Sequence, residues 1–432
     1  MKIALLGFGT VGSGVYNILK KNASKLERVL PEKIEIKTAL VREPELMEQT
    51  DVVFTNNIND IISDPEIELV VEVMGGITTA YEYVRACLLA KKSVVTANKN
   101  LIAVHGVELT TLAKLEEVYL YYEASVGGGI PVLRPMVQHF ETNDVESIVG
   151  IVNGTTNFIL SSMEKEGLSY ETALKIAQEK GFAEADPTSD VEGHDAAYKL
   201  MILTRLAFGV NVTFDEVAKT GISNVTTSHM KMASENGFAI KLLAKALSDG
   251  EKVSLEVAPT FVPATHLLAQ VHYENNAISV KGNAVDEVLF YGKGAGSLPT
   301  ATSVLADVVE VLRRKANGSV VETFGRVESP LVEFSPEAAT SSYFVYGKGN
   351  LEVAPLGGQV VSNKQEEFGV RYTALTASEL AKVKEAFYEF DKEQKKQSRA
   401  VYVCKSLNCL GKLAKHNKVK LDSQDLMSML NI

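Results

Sequence analysis

The segment KIALLGFGTVGSGV, residues Lys2 to Val15, decides the fold expected for this chain. Its apolar run Lys2–Leu6 predicts a strand, and a Gly-x-Gly-x-x-Gly pattern follows at Gly7, Gly9 and Gly12. At a strand-to-helix junction, the first glycine makes the tight turn, the second admits a pyrophosphate and the third lets the helix pack on the sheet. The free N–H groups of the helix N-terminus then attract the phosphates. The pattern predicts a Rossmann-type dinucleotide site; the alternative is a glycine-rich turn that binds nothing.

Three further apolar runs predict neighbouring strands of the same sheet: Ile34–Val41, Leu69–Val73 and Ser93–Ala97. Their apolar residues are continuous rather than alternating, which is typical of parallel strands buried on both faces. The first run ends at Arg42, and an arginine there favours the 2′-phosphate of NADP. Glu43 beside it leaves NAD open, because an acidic residue at this point binds the ribose hydroxyls of NAD.

Lys99 follows directly after the run Ser93–Ala97. In an open parallel sheet, ligands bind beyond the carboxyl ends of the strands. Lys99 is therefore expected to meet the cofactor or the substrate, and the alternative is an ordinary lysine at a helix start.

A glycine-rich segment, ASVGGGIPVL at Ala124–Leu133, follows a predicted strand at Tyr119–Glu123. Its backbone carbonyls, together with the carboxylate of Glu123, would suit a hard cation such as sodium or potassium, which prefers oxygen ligands. The simpler interpretation from composition is a hinge between domains.

The next stretch places polar groups around predicted helices. A strand at Ser147–Val152 leads into NGTTN, Asn153–Asn157, which predicts a turn that binds a small polar substrate or caps its own helix. That helix continues to Lys165, and a second helix, Tyr170–Lys180, ends at Gly181.

The acidic stretch EADPTSDVEGHDAAYK occupies Glu184–Lys199 and opens a helix at Asp195–Ala207. Asp195 and Lys199 are four residues apart, so on a helix they share one face. A carboxylate that orients an amine is the arrangement that proton delivery to a reacting oxygen requires. Taken alone, the pair is better interpreted as an exposed ion pair of little consequence.

The bulk properties limit the classes of function. A chain of 432 residues should hold two or three domains, and its net charge of -10 argues against a nucleic-acid surface. Three cysteines favour a reducing compartment, and we find no secretion signal or bilayer-spanning run, so a cytoplasmic protein is expected.

The motifs together resemble those of the homoserine dehydrogenases, in order along about the first 325 residues. They are GFGTVGSGV (Gly7–Val15), VMGGITTA (Val73–Ala80), VVTANKNLIA (Val94–Ala103), YEASVGGGIPVL (Tyr122–Leu133), GIVNGTTNFIL (Gly150–Leu160), GFAEADPTSDVEGHDAAYK (Gly181–Lys199), and GKGAG with PTA (Gly292–Gly296, Pro299–Ala301). The NGTTN and EADP…D…GxDAAxK patterns are far more specific than the glycine pattern.

The resemblance implies reduction of aspartate 4-semialdehyde to homoserine with a nicotinamide cofactor, in threonine, methionine and isoleucine biosynthesis. It implies that Lys199 donates the proton, that Asp195 orients Lys199, that Lys99 lies between cofactor and substrate, and that Glu184 and Asp190 bind the substrate. It also favours the cation site over the hinge, with Glu123 and the carbonyls of Val126, Gly128 and Ile130 as ligands. The cofactor contacts that it implies are Gly7, Phe8, Gly9, Thr10, Val11, Gly12, Lys99, Gly181 and Gly296, to which the strand argument adds Arg42.

The expected fold class is α/β, with a Rossmann-type parallel sheet, a central α+β substrate and dimerisation domain, and a small C-terminal α+β domain. The expected limits are 1–131 for the nucleotide-binding domain, with 303–325 packing back on it, 132–302 for the central domain and 340–432 for the last. The resemblance implies a homodimer or homotetramer that acts on a small molecule, with neither nucleic acid nor membrane as a partner.

The C-terminal segment departs from the family pattern. Many members carry an ACT-type βαββαβ regulatory domain there that senses threonine, but its usual glycine-containing loop is not evident in this sequence. The segment is therefore either a diverged regulatory domain or a module that only supports oligomerisation. Strands are predicted at 342–346, 369–375 and 400–403, and helices at 377–388 and 422–430.

Two other functions are open to the sequence. One is a related dehydrogenase of another amino-acid aldehyde, against which NGTTN and the DAAYK lysine argue. The other is a catalytically silent nucleotide-sensing regulator, which would have no need of Lys99, Glu184, Asp195 and Lys199 together. His194 is adjacent to Asp195 and therefore points away from it on a helix, so it is not expected to act as the acid or base.

Overall fold

A computed structural model describes residues 1–47, 50–235, 237–319, 321, 324, 332–335, 341–348, 356, 359–364, 367–375, 378–379, 381–383, 385–386 and 401–406. By their internal contacts, the described residues divide into two units. Unit 1 takes residues from 1–148, 198–214 and 277–332, and unit 2 takes residues from 149–197, 215–276 and 333–432. The functional domain limits expected at residues 131, 302 and 340 stay a prediction.

The strands and helices have the following bounds. The strands are β1 (Lys2–Leu6), β2 (Glu35–Leu40), β3 (Val53–Thr55), β4 (Ile67–Glu72), β5 (Ser93–Thr96), β6 (Leu120–Tyr121), β7 (Val145–Ile151), β8 (Ala218–Lys219), β9 (Phe238–Ser248), β10 (Lys252–Pro263), β11 (Asn275–Gly282), β12 (Asp286–Lys293), β13 (Glu333–Phe334), β14 (Ser341–Lys348), β15 (Gln359–Lys364), β16 (Glu367–Leu375) and β17 (Val401–Ser406). The helices are α1 (Thr10–Lys21), α2 (Ala23–Val29), α3 (Asn59–Ile62), α4 (Thr78–Leu89), α5 (Lys99–Leu115), α6 (Leu133–Gln138), α7 (Gly154–Glu166), α8 (Tyr170–Glu179), α9 (Thr188–Val191), α10 (His194–Phe208), α11 (Thr227–Glu235) and α12 (Ser297–Ala316).

Unit 1 is built on a parallel six-stranded sheet in the order β3-β2-β1-β4-β5-β6. This is the order of a dinucleotide-binding Rossmann sheet. Consecutive residues of β1, Ile3 to Leu6, are fully buried, because helices cover both faces of such a sheet. The registers pair Leu6 with Leu40 and with Glu72, so β1, β2 and β4 end at the same edge. The expected Rossmann-type fold is confirmed.

Helix α12 closes one side of unit 1 by packing on α1. The helix runs from Ser297 to Ala316, so it contains much of the segment 303–325 that was expected to pack back on the nucleotide-binding domain. A Cβ on Gly14 of α1 would lie 2.6 Å from Oγ of Ser297, so the two helix backbones approach as closely as they do only because residue 14 is glycine. The apolar residues of α12 that face the unit include Val304, Val308 and Val311, all fully buried.

The strand expected at Tyr119–Glu123 is wrong at its end. Strand β6 holds only Leu120 and Tyr121, and Glu123–Ser125 forms a turn of 3₁₀ helix instead. The cause is the side chain of Glu123, which turns back to accept hydrogen bonds from the backbone N–H groups at the start of α6.

Unit 2 contains a long antiparallel hairpin that the sequence analysis did not predict. Strands β9 and β10 pair along their length, from Val253 with Ser248 to Pro263 with Phe238, and the short strands β8 and β13 run parallel to β10. Beyond residue 340, β14, β15, β16 and β17 are antiparallel to their neighbours in the order β17-β14-β16-β15. The helix expected at 422–430 lies outside the described residues, and the one at 377–388 lies only partly within them.

Among the residues that the structure describes, none of the helices combines the length and the apolar character needed to cross a bilayer.

Candidate active site

The glycine turn joins β1 to α1 in unit 1. Gly7 has a φ of +101°, a conformation that side chains disfavour, and its N–H donates to the carbonyl of Leu40 at 3.0 Å. A Cβ on Gly12 would lie 2.3 Å from the carbonyl oxygen of Gly7, so only glycine fits there. Among the described residues, nothing lies within 4 Å of where a Cβ on Gly9 would be. The three glycines thus have the roles that a pyrophosphate site requires: turn, close helix packing and an open approach.

Neighbouring groups fix the start of α1. The ring of Phe8 packs edge-on against Phe54 and Tyr16, with centroids 5.1 and 5.8 Å away. The hydroxyl of Ser297 donates to the carbonyl of Thr10 at 2.5 Å, which brings Gly296, with a φ of +117°, beside the glycine turn. The predicted cofactor residues Phe8, Thr10 and Gly296 are therefore held on one region of unit 1.

Arg42 and Lys99 both follow strands of the Rossmann sheet at its carboxyl edge. Arg42 is exposed two residues after β2, and Lys99 is the first residue of α5. Asn98 caps that helix: its side-chain oxygen accepts from the N–H of Leu101, and its Nδ2 donates to the carbonyl of Gly76 at 2.7 Å. The cap fixes the start of helix α5 and, with it, the backbone position of Lys99.

A buried acid that the sequence motifs did not single out supports the loop of Lys99. Glu72, the last residue of β4, is fully buried; its carboxylate accepts from the hydroxyl of Thr96 at 2.5 Å and from the N–H of Met74 at 2.8 Å. Burial raises the pKa of Glu72. The hydroxyl of Thr96 in turn accepts from the N–H of Asn98 at 2.9 Å, so this chain of bonds supports the loop that carries Lys99. An acid within a run such as LVVEV is the signal that could have identified it.

Glu123 directly precedes the glycine-rich segment Ala124–Leu133 in unit 1. Its carboxylate accepts three backbone hydrogen bonds, from the N–H groups of Val132 (2.7 Å), Leu133 (2.8 Å) and Arg134 (2.7 Å). Burial raises its pKa, and these three donors oppose that effect. The carbonyl of Gly128 accepts from the hydroxyl of Ser303 at 2.6 Å.

The glycine-rich segment follows a path that needs glycine. Gly127 and Gly128 have φ values of +75° and +54°, and a Cβ on Gly128 would lie 2.4 Å from the carbonyl oxygen of Gly294. Two further members of the predicted cation set, Val126 and Ile130, are buried in the same segment. The carboxylate and the backbone carbonyls of this set are all oxygen donors, which suit a hard monovalent cation better than a soft metal.

In unit 2, the NGTTN turn organises the acids. The side-chain Nδ2 of Asn153 donates to Oδ1 of Asp190 at 2.7 Å and to Oδ2 of Asp195 at 2.9 Å. Its Oδ1 accepts from the N–H and the hydroxyl of Thr156, at 2.8 and 3.0 Å, and so caps α7. Asn153 and Asp195 are both only 5% exposed. The expectation that this turn caps its own helix is thus met, and Asn153 also contacts two predicted site residues.

The loop after α8 carries Gly181 and Glu184. Gly181 has a φ of +75°, and the hydroxyl of Thr155 donates to the carbonyl of Phe182 at 2.7 Å. The ring of Phe182 packs on Phe158 with centroids 4.8 Å apart. Glu184 has an exposed side chain, while its carbonyl accepts from Nε2 of Gln178 at 3.1 Å. The NGTTN turn therefore also holds the loop of the predicted cofactor and substrate contacts.

Two further acids of the stretch Glu184–Lys199 accept hydrogen bonds from hydroxyl groups. Asp186 accepts from both the N–H and the hydroxyl of Thr188, at 3.1 and 2.6 Å, and these bonds lower its pKa. Glu192 accepts from the hydroxyl of Ser223. Both acids therefore stabilise the turns around α9.

Asp195 and Lys199 lie on α10, with Asp195 in its first turn and Lys199 one turn later. The helix expected at Asp195–Ala207 is thus present, one residue longer at each end. A helix brings residues four apart to the same face, as the sequence analysis assumed. Lys199 is partly exposed, as a group that meets a substrate must be.

These elements define a class. A parallel sheet in this strand order, a glycine turn shaped for a pyrophosphate, and a helix with a lysine one turn after a carboxylate are the parts of a dinucleotide-dependent dehydrogenase. Residues 7–123 match the family described as "Homoserine dehydrogenase, NAD binding domain", and residues 131–309 match "Homoserine dehydrogenase". The chain belongs to the homoserine dehydrogenase family.

Individual relatives agree with this assignment. The chain is 46% identical to homoserine dehydrogenase of Bacillus subtilis (strain 168), over 75% of this chain and 76% of that protein. The crystal structure of a homoserine dehydrogenase from Thiobacillus denitrificans superposes with a TM-score of 0.84 at 33% identity, covering 94% of this chain and 98% of that one. A hyperthermophilic archaeal homoserine dehydrogenase in complex with NADPH has the same fold, with a TM-score of 0.62 at 24% identity over 72% of this chain and 98% of that one. The predicted family and its oxidoreductase activity are confirmed.

Proposed function

We propose that this homoserine dehydrogenase interconverts aspartate 4-semialdehyde and homoserine with NADP, and that Lys199 is the acid that protonates the substrate oxygen. The observation that carries the proposal is the position of Lys199 one turn after the buried Asp195 on α10. The bound nicotinamide supplies the hydride. As negative charge develops on the aldehyde oxygen, a protonated lysine supplies both a stabilising positive charge and a proton.

The other residues act on the substrate and the cofactor. Asp195 orients Lys199, while Glu184 and Asp190 bind the substrate, whose ammonium group favours a carboxylate-rich pocket. Lys99, at the carboxyl edge of the sheet, lies between the cofactor and the substrate. Gly7 to Gly12, Gly181 and Gly296 bind the cofactor, and Arg42 binds its 2′-phosphate. The NADPH named in the archaeal relative's complex supports NADP over NAD.

Glu123, with the carbonyls of Val126, Gly128 and Ile130, holds a sodium or potassium ion in this proposal. The support is the buried oxygen donor set of unit 1. The ion would stabilise the glycine-rich segment and has no chemical role in the hydride step.

The assembly and its regulation are part of the proposal. The enzyme is a cytoplasmic homodimer or homotetramer, as the resemblance implies. The C-terminal strand order, with the first strand between the third and the fourth, is that of a βαββαβ module and supports a diverged ACT-type domain. A response of activity to added threonine would distinguish a regulatory domain from one that only supports oligomerisation.

The proposed acid is tested by following cofactor absorbance with homoserine as substrate. We expect Lys199→Ala to lower kcat by roughly 10²- to 10⁴-fold, the usual contribution of a positioned acid, while leaving NADP⁺ binding intact. No homoserine turnover by the native chain, with either NADP⁺ or NAD⁺, would contradict the function. Full activity of Lys199→Ala would contradict the role of Lys199.

A further inference from the structure

We propose that Asn153 is a positioning residue for the dehydrogenase reaction: its side-chain amide holds the carboxylates of Asp190 and Asp195 in one fixed arrangement. The inference rests on the proposed function, because it concerns two acids to which that proposal assigns roles. Asn153 itself contacts neither the reacting atoms nor the cofactor in this scheme. It acts through the two acids.

The geometry uses both hydrogens of one amide group. One N–H bond of Nδ2 points to Asp190 at 2.7 Å and the other to Asp195 at 2.9 Å. Asp190 belongs to the short helix α9, and Asp195 begins the separate helix α10. Asn153 belongs to a third element, the NGTTN turn at the start of α7. Its side chain therefore fixes the distance between two acids that lie on different helices.

The orientation of the amide is determined by its other end. Oδ1 of Asn153 faces the N–H of Thr156 at 2.8 Å, and a nitrogen in that position would meet a donor instead of an acceptor. The NH₂ group must then face the carboxylates. Because Asn153 is 5% exposed, water cannot readily replace a lost partner, and a buried unpaired donor or acceptor is costly.

The arrangement has an electrostatic purpose. Two carboxylates that share one donor group repel each other, and each is stabilised in its charged form by the N–H bond that it accepts. Without the amide, the two carboxylates would lose their common donor and move apart. Asp195 would then lose the orientation that holds Lys199, and Asp190 would lose its place in the substrate pocket.

A purely structural role as a helix cap is the alternative, and single substitutions separate the two roles. Asn153→Ser keeps a neutral oxygen that can cap α7, but it is too short to reach either acid. Asn153→Asp also keeps the capping oxygen, and it replaces the NH₂ donor with a third carboxylate. Ser169→Ala is the matched control: Ser169 caps α8 by accepting from the N–H of Thr172 at 3.2 Å, at an exposed site without these acids.

The experiment compares steady-state homoserine oxidation, thermal unfolding and NADP⁺ binding by fluorescence for the full chain and its variants. For Asn153→Ser we expect a kcat about 10- to 100-fold lower, the usual effect of removing a group that orients a functional residue. We also expect a displaced pH profile of kcat and an NADP⁺ Kd close to that of the native enzyme. The melting temperature should fall, because the buried carboxylate of Asp195 loses a donor. Asn153→Asp should lose at least as much activity. Ser169→Ala should lower the melting temperature and leave kcat unchanged.

A kcat of Asn153→Ser within about twofold of the native value, with an unchanged pH profile, would show that Asn153 is only a cap and overturn the inference. If Asn153→Ser does not fold, Asn153→Asp decides by the same criterion. Asp195→Asn separates this failure from failure of the proposed function. If Asp195→Asn is inactive and Asn153→Ser is active, only the positioning role of Asn153 fails. If Asp195→Asn is fully active, the role that the proposed function assigns to Asp195 fails.

Discussion

Glu123 and Asp307 are buried next to each other in unit 1, where the backbone N–H of Glu123 donates to Oδ2 of Asp307 at 2.8 Å. Asp307 is 0% exposed, and burial, reinforced by the charge of Glu123, raises its pKa to about 7. Arg134 donates to the other oxygen of Asp307 at 2.5 Å. The guanidinium of Arg134 thus pairs with Asp307, whereas the carboxylate of Glu123 accepts from the backbone N–H groups of residues 132–134. A monovalent cation beside Glu123 would balance the charge of that carboxylate.

The first prediction concerns that cation. Sodium or potassium chloride should raise the melting temperature above that in choline chloride at equal ionic strength, because an ion that binds only the folded state stabilises it by mass action. Glu123→Gln should abolish the difference between the salts. Lys281→Gln, at an exposed ion pair with Glu146 in the same unit, is the control and should preserve it. An equal effect of all three salts on the native enzyme would contradict the cation site.

The second prediction concerns cofactor choice. Arg42→Ala should raise the KM for NADP⁺ by roughly 10- to 100-fold, the equivalent of one charge-assisted hydrogen bond, and leave the KM for NAD⁺ nearly unchanged. Glu43→Ala, at the adjacent exposed position, is the matched control and should not weaken NADP⁺ binding. Initial rates with each cofactor measure the effect. Parallel changes in both KM values would mean that Arg42 does not contact the 2′-phosphate.

The third prediction concerns the contact between Gly106 and Arg205 in unit 1. A Cβ on Gly106 would lie 2.5 Å from Nη2 of Arg205, whose buried Nη1 donates to the carbonyl of Ile102 at 3.1 Å. A glycine-to-alanine change inside a helix usually stabilises by up to about 1 kcal/mol. Here overpacking should reverse the sign, so that Gly106→Ala destabilises by about 1–3 kcal/mol.

Thermal unfolding of single and double variants tests this contact. Gly106→Ala combined with Arg205→Met should be less destabilised than the sum of the two single changes, because removal of the guanidinium makes room for the methyl group. Thr111→Ala, on the exposed face of the same helix, is the control and should be neutral or stabilising. Strict additivity of the two changes would contradict a steric cause.

The fourth prediction concerns Lys241, a fully buried lysine of β9 in unit 2. Its Nζ donates to the carbonyl of Val271 at 2.7 Å, and burial lowers its pKa to about 8. Below pH 8 the amine is charged in both the folded and the unfolded state, so the cost of burying the charge is fully present. Between pH 8 and about 10.4, the folded state loses the proton while the unfolded state keeps it, and stability should rise with pH.

Lys241→Met removes this pH dependence. The stability of the native chain relative to Lys241→Met should increase by at most about 3 kcal/mol between pH 8 and pH 10. Denaturant unfolding of both proteins at each pH measures the difference, and Lys175→Met, at an exposed position, is the control. A difference that is constant or falls with pH would show that Lys241 is not the group responsible.

Much of unit 1 follows from local sequence. Runs such as KIALL and LVVEV are continuous because helices cover both faces of the sheet, and the spacing of Gly7, Gly9 and Gly12 fixes the turn. The NGTTN turn was predicted to bind a substrate or to cap a helix, and the structure shows the cap. Its link to Asp190 and Asp195 could not be predicted, because those partners are 37 and 42 residues away. The same holds for the β9–β10 hairpin, whose nearly complete burial hides the alternation by which an antiparallel strand is recognised.

The close contact of Ser297 with Gly14 has a consequence for how the chain reaches its folded state. Helix α1 is synthesised near the start, but the helix that covers it is made almost 300 residues later. On the ribosome, residues 149–197 and 215–276 are all synthesised before α12. The surface of α1 that α12 covers therefore stays exposed during that time. We expect that truncation before α12 yields an insoluble nucleotide-binding fragment, and that a fragment carrying only residues 1–131 cannot be transplanted as an independent cofactor-binding module.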